Sequence, residues 1–366
     1  MAQIICVSHL PWGEGPNRVG NLVHWLPQAE VLFFEPAQSR LSSLRRPREG
    51  GRVAEHVLAF TLPTRIPVNE EAPARIARRS RQNASFIRQC MAEQGFDRSV
   101  LWLRCPDQVE LAFHLPECGG LIYDCDQNWS QLPPEWEATL AGEADVVFAA
   151  SEQLQDRLIQ YNENVALLPN GVNYPLFSQA AALYPSTPTD LSRIPQPIFG
   201  YLGRVDDFTQ LGPAYQAAAA HPEWSFVFVG PFSRQNPGYS AMRKQKNVFF
   251  LGEKSLPSLP RYLAGFDVCF TLLDERDPAP PVVSEQFYQY LASGKPIVTM
   301  LSGDSVPFYP DVVYSAHFDI EFISSCALAL EEDGDAFSRR RTAYAAAADW
   351  RKRGRYLAQI FDANGF

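Results

Sequence analysis

Apolar and polar positions along this chain fall into two kinds of block. The first kind is a short apolar run bounded by turn formers: "QIICVSH", "EVLFFEP", "VAEHVLAFTLP", "SVLWLRCP", "GGLIYDCDQ", "ADVVFAA" and "NVALLPNGV". Such near-continuous runs predict strands buried on both faces, as parallel sheets require. The second kind is helical. "NRVGNLVHWL" follows the first strand, "PARIARRSRQNASFIRQCMAEQG" ends at Gly95, and "EQLQDRLIQY" starts after Ser151, a good N-cap. Strand, helix, strand repeated in this way predicts a doubly wound parallel sheet.

The beat stops between Tyr174 and Pro197, where "YPLFSQAAALYPSTPTDLSRIPQP" is proline-rich and aperiodic. It resumes with strands "PIFGYLGRV", "WSFVFVGP", "NVFFLGE", "DVCFTLLD", "KPIVTM" and "VVYSA". The helices "LGPAYQAAAAHP", "LPRYLAGF" and "SEQFYQYLAS" stand among them, and the Ala-rich tail reads as one long helical stretch. The expected architecture is α/β, with two Rossmann-like domains and a cleft between them. Residues 1–176 form the first, 177–196 a linker and 197–344 the second, and a helix at 345–366 packs back toward the first.

Composition narrows the class. A chain of 366 residues, 46% hydrophobic and 20% charged, is a soluble globular protein large enough for two cores. No apolar run reaches the roughly 18 residues a membrane span needs. The opening "MAQIICVSHLPWGEG" lacks a basic leader region, and seven cysteines without a CxxC pair suit a reducing compartment, so the expected location is the cytoplasm. A net charge of −9 argues against a nucleic-acid partner. One region departs from it. Eleven arginines between Arg40 and Arg88 face four acids, a local excess of +7. A solvated helix face accounts for it as readily as a patch for anionic lipid or an acceptor diphosphate.

In open parallel sheets ligands bind beyond the carboxyl ends of the strands. Five loops qualify. "GYLGRVDD" places Gly200 and Gly203 for close backbone approach, Arg204 as a cation for a diphosphate, and Asp206 to orient it or bind a sugar hydroxyl. "SEQFYQYLASG" starts a helix at Ser284, whose free N–H groups make an anion site, with Glu285, Gln286 and Gln289 near its start. In "ALLPNGV" Asn170-Gly171 reads as a turn with a left-handed glycine. "PWGEGPNRVG" lacks GxGxxG, which disfavours a dinucleotide cofactor. In "YDCDQNW" Asp124 and Asp126 close a strand as loop caps or catalysts, and Trp129 could stack on a sugar. Six scattered histidines show no metal-ligand spacing.

Taken in order, "ASEQLQDRL…NVALLPNGVNYPLF", "GYLGRVDD", "WSFVFVGP", "NVFFLGEKSLPSLPRYLAGFDVCFTLL" and "FYQYLASGKPIV" resemble retaining GT-B glycosyltransferases of the family 4 type. The nearest branch is that of teichuronic acid and exopolysaccharide biosynthesis. Trp12, Arg18, Tyr123-Asp124-Cys125 and Trp350 match further features of that branch, so the resemblance spans nearly the whole chain.

The resemblance implies a hexosyltransferase that moves a sugar, with retention, from a nucleotide-diphosphate sugar to a glycan or a polyprenyl-diphosphate-linked acceptor in polysaccharide biosynthesis. It would need no metal or other cofactor, and no protein base for the acceptor, whose proton the departing phosphate takes. Donor contacts fall on Gly203, Arg204, Asp206, Leu251, Gly252, Lys254, Ser284, Glu285, Gln286, Phe287 and Gln289. Acceptor contacts fall on Trp12, Arg18 and Trp129, and catalytic roles on Arg204, Asp124 and Asp126. An enzyme at the inner face of the cell membrane, bound peripherally to an anionic surface, would suit such an acceptor. Departures are specific. Gln289 stands where the family has a ribose-binding glutamate, Gln286 where the branch has a lysine, and Pro281 where many members carry a first glutamate. Gln127 and Asn128 replace acids after "YDC". Two alternatives stay open: a catalytically retired scaffold of the same fold, and a nucleotide-sugar epimerase.

Overall fold

The computed structural model describes residues 2–12, 18–26, 29–37, 50–64, 73–182, 187–276, 281–303, 305–332 and 335–366. They form two compact units, Met1–Asn170 with Trp350–Phe366, and Gly171–Asp349.

The first unit is built on β1 (Ala2–Val7), β2 (Ala29–Glu35), β3 (Gly51–Ala54), β4 (Val57–Thr61), β5 (Val100–Leu103), β6 (Gly120–Cys125), β7 (Val146–Ala149) and β8 (Val165–Leu167). They lie in the order β3-β4-β2-β1-β5-β6-β7-β8. All neighbours are parallel except β3 and β4. The sequence predicts a single strand over "VAEHVLAFTLP". It folds instead as an antiparallel pair turning at Glu55-His56, because His56 is tied down: its carbonyl accepts Val31 N–H at 2.9 Å and its ring reaches Val23 O at 2.7 Å. Ile4, Ile5, Cys6 and Val7 are fully buried, as a central parallel strand demands. Register matters most at the carboxyl ends. Val7 pairs with Leu103 and Leu103 with Tyr123, so the residues following β1, β5 and β6 emerge side by side.

The second unit carries β9 (Ile198–Leu202), β10 (Ser225–Val229), β11 (Val248–Gly252), β12 (Val268–Phe270), β13 (Ile297–Met300) and β14 (Tyr314–Ala316). Their order is β11-β10-β9-β12-β13-β14, all parallel. Gly200 is a packing glycine and not a ligand-approach residue: a Cβ there would lie 2.0 Å from the Phe266 ring. The helix Glu285–Ser293 begins on Ser284, whose Oγ accepts Phe287 N–H at 3.2 Å, and ends on left-handed Gly294 at φ 71°. Phe287, Tyr288, Tyr290 and Leu291 of this helix are buried, which stabilises it by about 1.5–3 kcal/mol per large apolar side chain.

The tail is two helices, Asp335–Ala347 and Trp350–Asn364, where the sequence predicts one. The break has a cause. Ala348 O accepts Val172 N–H at 2.9 Å, and Trp350, 1% exposed, turns into the core of the first unit. Gly354 lets Trp350–Asn364 lie on the backbone of Trp25, since a Cβ would meet Trp25 O at 2.6 Å.

Candidate functional site

In the second unit the loop after β9 is shaped by two glycines. Gly203 sits at φ 154°, and Gly230, after β10, at φ 138°. A Cβ on Gly230 would lie 2.1 Å from Gly203 O, so only glycine permits the two loops to touch. A Cβ on Gly203 would lie 3.1 Å from Gln286 Nε2. Gln286 in turn donates to Tyr290 Oη at 2.9 Å, and Tyr290 Oη accepts Leu202 N–H at 2.8 Å. The helix start and the glycine loop are therefore one braced structure.

Arg204 projects from that loop, exposed, and has no ion-pair partner among the described residues. It lines a concavity of about 450 Å³ together with Asp207, Phe208, Phe232, Ser233 and Arg276. Asp206 does not hold Arg204. Its carboxylate accepts from Phe208 N at 3.0 Å and Thr209 Oγ1 at 3.2 Å, and it pairs with Arg276. Arg276 lies over the Phe208 ring, 4.5 Å from its centroid, and also pairs with Asp274. Two guanidinium groups lining one concavity, Arg204 without an ion-pair partner among the described residues, suit a diphosphate.

The other residues on which the resemblance places donor contacts occupy varied positions. Leu251 packs against the core, and Gly252, left-handed at φ 69°, accepts Gly230 N–H at 3.0 Å, so this strand end adjoins the same glycine loop. Lys254 is held by Asp190 at 2.8 Å and lies over the Tyr262 ring. Phe287 is buried and stacks on Tyr309 at 6.1 Å, which makes it core. Glu285 and Gln289 are half-buried on the first turns of the helix. Most of the loop "DPAPPVV" lies outside the described residues.

In the first unit Arg18 opens the helix Arg18–His24 and is 3% exposed. Its Nε donates to Asp124 Oδ1 at 3.0 Å, its Nη1 to Asn170 Oδ1 at 3.2 Å and its Nη2 to Leu168 O at 2.6 Å. Asp124 is fully buried, so this pair braces the strand ends from beneath. Gly171 is not among the left-handed glycines; the "PNG" segment instead lends its Asn170 side chain to Arg18. Trp12 packs edge-on against Phe33 at 5.1 Å, and its N–H is held by Glu35 at 2.8 Å. The glycine-rich stretch between Trp12 and Arg18 lies outside the described residues.

Asp126 pairs with Arg104, which is 1% exposed. Burial pushes the Asp126 carboxyl up, but Arg104, with His9 and Arg18, outweighs it and holds Asp126 below the usual carboxylate range. His9 is pushed down to about 4 by burial and by Arg104, against Asp126, so its ring is neutral at pH 7. Trp129 meets His9 edge-on at 6.1 Å. His9 and Arg104 stand outside the motifs that the sequence singles out. The rule that found Asp126 would have found both, because each lies just past the carboxyl end of a central strand.

Among the described residues no group of three His, Cys, Asp or Glu side chains is placed to hold a metal, and no helix is long and apolar enough to cross a membrane.

No family profile matches the chain. A curated protein of Bacillus subtilis named "Putative teichuronic acid biosynthesis glycosyltransferase TuaH" is 25% identical over 284 residues, 71% of this chain and 70% of that protein. Among solved structures, sucrose-phosphate synthase from Thermosynechococcus elongatus superposes with a TM-score of 0.76 at 15% identity, covering 99% of each chain. HepE of Anabaena, solved in complex with UDP, gives 0.68 at 16% identity, covering 99% of this chain and 100% of that one. An E. coli protein described as trehalose-6-phosphate bound with UDP-2-fluoro glucose gives 0.69 at 12% identity, covering 100% and 99%. The glycosyltransferase resemblance carried by the motifs is thus borne out, and the fold of this chain is the GT-B glycosyltransferase fold.

Proposed function

We propose that this chain transfers a sugar, with retention, from a uridine-diphosphate sugar to a glycan or lipid-linked acceptor in polysaccharide biosynthesis. The observation that carries it is the braced loop of the second unit, in which Gly230 lets the loop after β10 pack on Gly203 and exposed Arg204 lines a concavity. UDP bound to the HepE neighbour supports uridine as the base.

In this reading Arg204 and the N–H groups at Ser284–Gln286 take the diphosphate, and Gln289 receives the ribose hydroxyls through its amide oxygen. The acceptor hydroxyl attacks the anomeric carbon, the bond to the diphosphate breaks, and the acceptor's proton passes to the departing phosphate oxygen on the same face. Positive charge at Arg204, with the Asp-paired Arg276 guanidinium beside it, stabilises the leaving group without a resident metal. The first unit holds the acceptor.

The arginine-rich region supports a location at an anionic membrane surface. Arg40, Arg45, Arg46, Arg48 and Arg65 lie outside the described residues. Arg75, Arg78 and Arg81 stand at three-residue intervals on the exposed side of the helix Pro73–Gln94. Each basic side chain near such a surface contributes about 1 kcal/mol, screened by salt.

The test is UDP release from UDP-glucose, UDP-galactose and UDP-N-acetylglucosamine. The expected result is slow release from one donor, lost in Arg204→Ala. UDP binding with no release from any donor would favour the second reading, a scaffold that keeps the fold, to which the amides of Gln286 and Gln289 lend weight.

A further inference from the structure

Three neighbouring strands of the first unit end in buried polar groups whose bonding is incomplete. His9 follows β1 by two residues, while Arg104 follows β5 and Asp126 follows β6 by one. The Arg104–Asp126 ion pair occupies Nη2 and Oδ2 only. Arg104 Nε and Nη1, Asp126 Oδ1, His9 Nδ1 and Trp129 Nε1 are buried and have no protein partner. Buried polar atoms are costly to leave unpaired, so several at the ends of three neighbouring strands point to a ligand that completes them.

We propose that His9, Arg104, Asp126 and Trp129 form the subsite that receives an uncharged, hydroxyl-bearing sugar ring of the acceptor, and not its phosphate. This rests on the reading of the first unit as the acceptor-holding half. The unused groups are donors (Arg104 Nε–H and Nη1–H, Trp129 Nε1–H) beside an acceptor (Asp126 Oδ1) and His9 Nδ1, which donates or accepts according to the tautomer of the neutral ring. Neighbouring sugar hydroxyls both donate and accept, so they can satisfy the whole set. The ionised diphosphate of a lipid-linked sugar only accepts, and the charge of any phosphate would face the Asp126 carboxylate. A metal cation would face the Arg104 guanidinium. Trp129 and His9 add aromatic surface, set edge to face at 88°, for the C–H side of a ring. Selection among acceptors then follows from which pair of hydroxyls can reach Asp126 and Arg104 together.

The experiment follows the indole N–H signal of Trp129, assigned through Trp129→Phe, in nitrogen-labelled full-length protein. The probes are methyl α-glucoside, methyl β-galactoside, methyl N-acetylglucosaminide and, separately, inorganic phosphate. The inference expects a saturable shift with at least one glycoside, weakened at least tenfold in Asp126→Asn, and no shift with phosphate. If Asp126→Asn does not fold, His9→Gln takes its place, with weakening of at least threefold expected. A saturable response to phosphate, or none to any glycoside, overturns the proposal. Titration of UDP into the same sample, read on signals of the second unit, separates the two failures. UDP bound without glycoside response removes this inference alone, and absence of UDP binding removes the broader reading.

Discussion

Gln286 Nε2 donates to Tyr290 Oη at 2.9 Å, and that hydroxyl also accepts the backbone N–H of Leu202 at 2.8 Å. One turn of helix thereby grips the end of β9, where the glycine loop begins. Tyr290 is fully buried, so Tyr290→Phe strands the Leu202 N–H and the Gln286 amide at nearly constant volume. The expected cost is about 1–3 kcal/mol, read as a lower urea midpoint with unchanged slope. A midpoint equal to wild type would mean the brace contributes nothing.

The Arg18–Asp124 pair supplies a second prediction. Both side chains are at most 3% exposed. Arg18→Met leaves Asp124 buried without its cation and should destabilise by about 3–5 kcal/mol. Adding Asp124→Leu should recover much of that loss, because two apolar groups replace two charges. Thermal melts of the single and double variants distinguish this from a simple packing defect, for which the double variant would be worse than the single.

His9 predicts a pH dependence. Its folded value of about 4 lies below the ordinary 6.5. Between those values the unfolded chain binds a proton that the folded chain refuses, so stability falls as pH falls from about 6.5 to about 4. The slope is at most about 1.4 kcal/mol per pH unit. Burial is the largest cause of the shift, Arg104 adds to it and Asp126 opposes it. Asp107, pushed up to about 6 by burial, acts in the opposite sense over nearly the same window. The wild-type curve is therefore flattened, and the His9 contribution is read by difference. From pH 7 to 4.5, His9→Gln should lose about 2 kcal/mol less than wild type in urea titrations. Parallel curves would remove the assignment.

Legibility in the sequence tracked how local each cause is. The parallel strands were visible because a run such as "QIICV" has no polar face, and the helix at Glu285 was visible because Ser284 and Gly294 punctuate it. The antiparallel turn at Glu55-His56 was not, since it depends on Val23 and Val31 from another element. The same holds at the site. Gly203 and Arg204 were legible as a loop signature. That Asp206 serves Arg276, that Phe287 is core, and that Arg18 lies under Asp124 are tertiary facts which spacing does not encode. Arg104 sat unremarked inside "SVLWLRCP" because an arginine ending an apolar run reads as a snorkelling surface residue until β5 is placed centrally.

The central claim is that the second unit binds a nucleoside diphosphate at the Arg204 loop. Calorimetric titration of UDP into wild type and Arg204→Ala tests it most directly. Charge-assisted bonds of about 1.5–3 kcal/mol predict saturable binding by wild type and at least tenfold weaker binding by the folded variant. Equal affinity in the two proteins, or no UDP binding by wild type, would contradict the account.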